Sequence, residues 1–389
     1  MATGDGLLVR VHPPGGVLAA EALRVLAAGA RCHGNGLADV TGRGNLQLRG
    51  VTEDTHPALA AELARAELAD PRGAGPQRLT LTAPLAGLDP AEALDAAALA
   101  AAIERLEVDG LPAKTLVCVE AGTALDPEAD LRLIALGRDR LALGLAAPAG
   151  TAWVGTLGSG TAPAAVEKIL AAFAATGARR VRDLDDRARA ALSAGLGLAG
   201  APPPGRPLHP GVVALGAARA VILELPFGRA DAALLDRAAD WAERYGDGRV
   251  RLTHRRGLAF AGLDVAGAAA LAAAAREAGL ILDPADPRRR VAACPGAPAC
   301  AQGSTPTQRD AARLAGAAAR LGIAVHVSGC AKGCAHPGPA ALTLVGTDGG
   351  YGVVLDGRAS DPAAPALFTA ILDALARTDH PSRLADLLG

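Results

Sequence analysis

Two close pairs of cysteines, Cys294-Pro-Gly-Ala-Pro-Ala-Cys300 and Cys330-Ala-Lys-Gly-Cys334, lie in the last quarter of this chain. Four thiolates arriving from two short loops form the donor set of a [4Fe-4S] cluster, whose cubane core needs sulfur from several directions. The residues between them are small or turn-forming (Pro295, Gly296, Pro298, Gly333), so the backbone can bend around an inorganic core. Structural zinc also takes four thiolates, but the five residues inside the first loop are wide for it. Three disulfides are formally allowed by six cysteines, yet 389 residues that are 50% hydrophobic have core enough without covalent staples. Cys32 and Cys118 have no close partner in sequence. Cys118, in the apolar run Thr115 to Val119, reads as a small buried hydrophobe.

Regular elements must hold these loops side by side. The 29 residues between Cys300 and Cys330 predict one helix and one strand. Thr305 is the expected N-cap, with Pro306 at the first helical position and Gln308 completing a capping box. The helix should run to about Leu321, closed by Gly322, and residues 323–327 should form a strand that delivers Cys330.

Composition excludes some partners. A formal net charge of −1 and 2% aromatic residues leave neither the basic footprint nor the stacking platforms of a nucleic-acid binder. The start of the chain has no basic region followed by an apolar stretch and a cleavage site. Residues 141–166 carry no charge, but Gly, Pro, Ser and Thr punctuate the run and disfavour a membrane-spanning helix. The sequence therefore reads as that of a soluble cytoplasmic protein, a compartment where thiols stay reduced.

The chain also repeats itself. Thr41-Gly-Arg-Gly-Asn-Leu-Gln-Leu-Arg-Gly50 aligns without gaps on Thr253-His-Arg-Arg-Gly-Leu-Ala-Phe-Ala-Gly262, sharing Thr, Arg, Leu and Gly at four positions. Each segment is flanked by alanine-rich amphipathic stretches that predict helices, at about 17–29 and 56–69 in one copy and 230–245 and 264–278 in the other. Such units suit an α+β fold with helices on one face of a sheet. The Gly- and Pro-rich run 195–205 is the expected linker between the halves.

With these segments in view, the chain resembles the nitrite/sulfite reductase superfamily. The marks are Thr-x-Arg-Gly-Asn-Leu-Gln-Leu-Arg-Gly at 41–50, Leu111-Pro-Ala-Lys114 leading into a strand, and Cys-x5-Cys followed by Cys-x3-Cys. Within it, 82–89 and His326 to Gly338 resemble the precorrin-3B synthase family. The resemblance implies an internally duplicated α+β architecture: two ferredoxin-like half-domains (1–72 and 206–280) and two larger α+β domains (73–200 and 281–389), the last carrying the cluster. It implies oxygen-dependent hydroxylation of precorrin-3A with closure of a γ-lactone, and hence a tetrapyrrole substrate, dioxygen and an electron-donating reductase as partners. Related enzymes imply a non-haem iron as well, but no ligand set for it is legible among the eight histidines.

A pocket for a carboxylate-fringed ring needs apolar walls and fixed cations at its rim. The candidates are Arg43, Arg49, Arg78, Lys114, Arg255, Arg256 and Lys332, with Asn45 and Gln47 as neutral donors. No catalytic residue is assigned. Two departures favour the synthase over a sirohaem-dependent reductase, in which the tetrapyrrole would be a resident cofactor. Leu116 stands where the reductases commonly carry a second lysine, and Cys-Ala-Lys-Gly-Cys replaces their usual Cys-Pro-Asn-Gly-Cys. A non-catalytic iron-sulfur or tetrapyrrole-binding protein is the third reading.

Overall fold

In the computed structural model, residues 2–70, 74–125, 128–196, 200–380, 383 and 386 are described. The boundary expected near 72 and the centre of the expected linker, 197–199, lie outside them. Among the described residues, four five-stranded sheets make up the fold, two antiparallel and two mixed.

The repeat extends well beyond ten residues. A constant offset of 212 relates helix Ala20–His33 to Ala232–Tyr245, strand Val17–Ala19 to Arg229–Asp231, and the turn Pro14–Gly16 to Pro226–Gly228. The same backbone bonds recur: Asn35 N donates to Arg49 O at 2.9 Å, and its twin Asp247 N donates to Ala261 O at 3.0 Å. Both repeat segments turn at a threonine. Thr41 Oγ1 accepts from Asn45 N and Thr253 Oγ1 from Gly257 N, the kind of local side-chain bond that fixes a tight turn.

The copies exchange a strand. Val17–Ala19 pairs antiparallel with Arg249–Arg251 in the second copy's sheet, while Arg229–Asp231 pairs with Leu37–Asp39 in the first copy's sheet. Helices Ala20–His33 and Ala232–Tyr245 pack on each other through fully buried alanines (Ala27, Ala30, Ala238, Ala239), whose small size lets the two backbones approach. One hydrophobic core therefore spans both half-domains.

Each mixed sheet has three parallel strands followed by two antiparallel ones. In the second, helix Thr307–Arg320 connects the parallel neighbours Val291–Ala293 and Val325–Ser328, as a parallel pair requires. Both cysteine loops therefore leave the same carboxyl edge of one sheet, Cys294 directly after one strand and Cys330 two residues after the next. In the corresponding first sheet these places are Ala83 and Gly122, after strands Thr80–Thr82 and Val117–Glu120. The helix forms where expected, but its capping box does not. Pro306 is the N-cap and no side chain caps it, because Thr305 is turned inward among the cysteine loops, with Gly346 against its hydroxyl. The run 141–166 forms two strands, Arg140–Ala147 and Gly150–Gly158, and the start of helix Ala162–Ala175. Among the described residues no helix is long and apolar enough to cross a membrane.

Candidate active site

The four cysteines of the paired loops come together. The Cys334 thiol is pushed up first by burial and then by Cys294, Cys330 and Cys300, with Lys332 acting the other way. Cys294 is buried, Cys300 and Cys330 half-buried, and Cys334 exposed. Gly329 N donates to Cys294 Sγ at 3.1 Å. The loops are packed backbone to backbone: a Cβ on Gly303 would lie 3.0 Å from Gly296 C, and one on Gly329 would lie 3.0 Å from Gly303 Cα. Among the described residues no three His, Cys, Asp or Glu side chains are gathered for a single metal ion.

Cys334 opens on a cavity of about 930 Å³ lined from both copies. Seven of the nine expected substrate-binding residues line it: Arg43, Asn45, Gln47, Arg78 and Lys114 from the first half, Arg255 and Arg256 from the second. The other two do not. Lys332 is exposed on the loop between Cys330 and Cys334, outside the cavity lining. Arg49, only 2% exposed, is held by Asp5 at 2.8 Å and Asp39 at 3.3 Å and also donates to Ala299 O. It is a latch between the first half-domain and the Cys300 loop: alternation puts residue 49 on the same strand face as Gln47 and Asn45, but Asp5, Asp39 and Ala299 O hold its guanidinium and it is not among the cavity-lining residues.

Sequence reasoning missed Arg10, His12, Arg180, Arg182, Arg288 and Arg289, which also line the cavity. The clusters 179–182 and 288–290 were a visible signal; the strand Gly6–Val11 that bears Arg10, and His12 just after it, gave none. Several of these cations have resident carboxylates. Arg180 meets Asp130 at 3.0 Å, Arg288 meets Asp286 at 2.7 Å, and Arg289 and Arg255 share Glu224 at 2.9 and 3.5 Å. His12 Nδ1 lies 2.7 Å from Asp70.

Others have none among the described residues. Arg78 uses one nitrogen for Gly44 O at 2.9 Å and Arg43 O at 3.2 Å, and its Nε is buried without a partner. Burial pushes this guanidinium down to about 10. It remains charged near neutrality, so the shift measures a desolvated cation that an anion would relieve. Arg43, which donates to Lys114 O at 2.8 Å, is lowered by burial and then by Arg180. Arg256 is lowered by burial, and Arg10 and Lys114 have no carboxylate partner. The cavity therefore presents several uncompensated positive charges to a ligand. Leu116 is buried with Leu81 and Cys118 and adds no charge there.

Beside Cys334, His326 is fully buried, its ring 5.8 Å from that of His336. Burial pushes its imidazole down to about 4, with His336 and Arg256 adding to the shift. A depressed pKa means the neutral ring stabilises the fold above pH 6.5, and this contribution is lost as pH falls through 4. The wild type should lose about 3 kcal/mol more stability than His326→Gln between pH 7 and pH 4. Denaturant melts across that range check the difference.

Residues 1–66 and 216–278 match the family model described as the Nitrite/Sulfite reductase ferredoxin-like half domain, one match in each copy of the repeat. The Mycobacterium tuberculosis NirA protein has the same fold, with a TM-score of 0.73 and 23% identity over 96% of this chain and 80% of that one. A precorrin-3B synthase from a Sinorhizobium species is 35% identical over 380 residues, which cover 92% of this chain and 82% of the relative. Similarity of that extent, spanning the duplicated half-domains and both cysteine loops, places this chain in the precorrin-3B synthase family.

Proposed function

We propose that this enzyme converts precorrin-3A to precorrin-3B, inserting one oxygen atom from dioxygen and closing a γ-lactone, as a step of aerobic cobalamin biosynthesis. The observation that carries this reading is the cavity of about 930 Å³, which has room for a macrocycle and presents unpaired cations to it beside Cys334. An acidic tetrapyrrole supplies the anions that Arg43, Arg78, Lys114 and Arg256 lack, and Asn45 and Gln47 offer neutral hydrogen bonds.

Four thiols close enough to influence one another at Cys334, the first pair spaced by five residues, fit a multi-iron cluster better than a zinc tetrahedron. Cys294, Cys300, Cys330 and Cys334 would hold a [4Fe-4S] cluster, with Gly296, Gly303 and Gly329 providing the close backbone approach. When bound, the cluster supplies single electrons, which oxygen chemistry on a closed-shell molecule requires. By the balance of a monooxygenation, one oxygen atom enters the ring and the other leaves as water, using two electrons and two protons. A separate reductase would provide the electrons. No ligand trio for a non-haem iron is gathered among the described residues, and no step is assigned to one.

Anaerobically purified protein should show broad cluster absorption without sirohaem bands. It should consume dioxygen only when precorrin-3A and a reductant are both present. Sirohaem bands, or cluster reduction with no substrate-dependent oxygen uptake, would overturn the proposal.

A further inference from the structure

The offset of 212 pairs Gly15 with Phe227 and Gly44 with Arg256. All four adopt the left-handed backbone conformation, with φ of 59° and 55° in the first pair and 64° and 57° in the second. The fold thus needs a left-handed residue at both places in each copy. Glycine meets that need without steric cost, whereas phenylalanine and arginine do not. The first copy uses glycine twice; the second keeps two large side chains against backbone strain.

Crowding does not explain the difference at residue 15, where an added Cβ would meet only Val17 Cγ2, at 3.9 Å. The destination of the larger side chains does. Phe227 and Arg256 both line the cavity, and Arg256 Nη2 reaches Ala335 O, next to Cys334, at 3.4 Å. Their walls differ as well. The first copy contributes Arg10, Thr41, Arg43, Asn45 and Gln47, all polar, whereas the second adds the apolar Leu225, Phe227 and Ile281 to its own polar residues, Arg255 and Arg256 among them. Phe227 is the one phenyl ring among the described lining residues. The arginines are also matched across the repeat: Gly16 faces the Arg78 guanidinium at 3.0 Å from a built Cβ, and its twin Gly228 faces the Arg256 stem at 3.0 Å.

We propose that Phe227 and Arg256 are specificity residues kept in strained conformations, Phe227 as the platform for one face of the macrocycle and Arg256 as the cation for a carboxylate at its Cys334 edge. This inference rests on the tetrapyrrole reading above. It makes the second copy the side that supplies the ring platform as well as a rim cation, an asymmetry that the duplicated ancestor's symmetry alone would not produce.

Replacing each residue by glycine and, separately, by alanine tests it, because both changes remove the side chain and only glycine relieves the backbone. At each position the Gly variant should melt about 2 °C above the Ala variant. All four variants should bind precorrin-3A under anaerobic conditions about tenfold more weakly than wild type, with the cluster absorption unchanged. Gly variants that bind precorrin-3A as wild type does, or Ala variants that melt as high as the Gly ones, would overturn the inference. Failure of the wild type itself to bind precorrin-3A would instead remove the reading on which it rests.

Discussion

Cys300→Ser should leave a folded protein that has lost most of its iron and labile sulfide and all oxygen-dependent turnover. Serine nearly matches the shape of cysteine but is a poor ligand for a soft iron-sulfur core. The loss should be large because Cys300 is one of only four thiols that the two packed loops offer, with Gly303 against Gly296, Gly329 against Gly303, and Gly329 N on Cys294 Sγ. The hydrophobic core beneath them, with Leu314, Val327, Leu342 and Leu344 fully buried, does not depend on the thiols. Far-ultraviolet circular dichroism should therefore be unchanged while iron analysis and the visible spectrum collapse. Retention of a full cluster would remove Cys300 from the ligand set. Because turnover and cluster content must fall together, intact activity without the cluster would separate the oxygen chemistry from these cysteines.

The parts of this site legible in the sequence are those fixed by local chemistry. The cysteine spacing and the punctuating glycines give the loops, and Thr41 and Thr253 give the repeated turn, because each acts within a few residues of itself. Strand exchange was not legible: Val17–Ala19 and Arg229–Asp231 are three-residue edge segments whose partners lie some 200 positions away, and each sequence would suit either sheet. Carboxylate pairing was equally hidden. Arg255 and Arg289 look like free cations until Glu224 is placed between them, while Arg78 looks ordinary until its Nε is found buried without a partner. The division of the cavity's arginines into compensated and uncompensated ones, which decides where an acidic ligand binds, exists only in three dimensions.

Arg49 shows the cost of that limit, and its replacement has the largest expected effect on stability. The motif that carries it suggests a substrate cation, but its guanidinium lies between Asp5, Asp39 and Ala299 O with 2% exposure. Although burial pushes the Asp5 carboxyl up, its hydrogen bonds with Arg49 and Thr3 and the nearby Arg49 charge together outweigh that and hold it below the usual range. Arg49→Met would keep the apolar volume and leave two partly buried carboxylates facing each other, with Arg229, 2.8 Å from Asp39, the remaining counter-charge. Removing one partner of a buried ion pair costs about 3–5 kcal/mol. Denaturant unfolding should show a loss of that order at pH 7. The loss should shrink as pH falls below the ordinary carboxylate range, because in the wild type the ionised Asp5 contributes stability that disappears once it is protonated, and in the variant protonation relieves the repulsion. Precorrin-3A affinity of the folded fraction should stay near the wild-type value. A variant of normal stability with weakened binding would return Arg49 to the substrate.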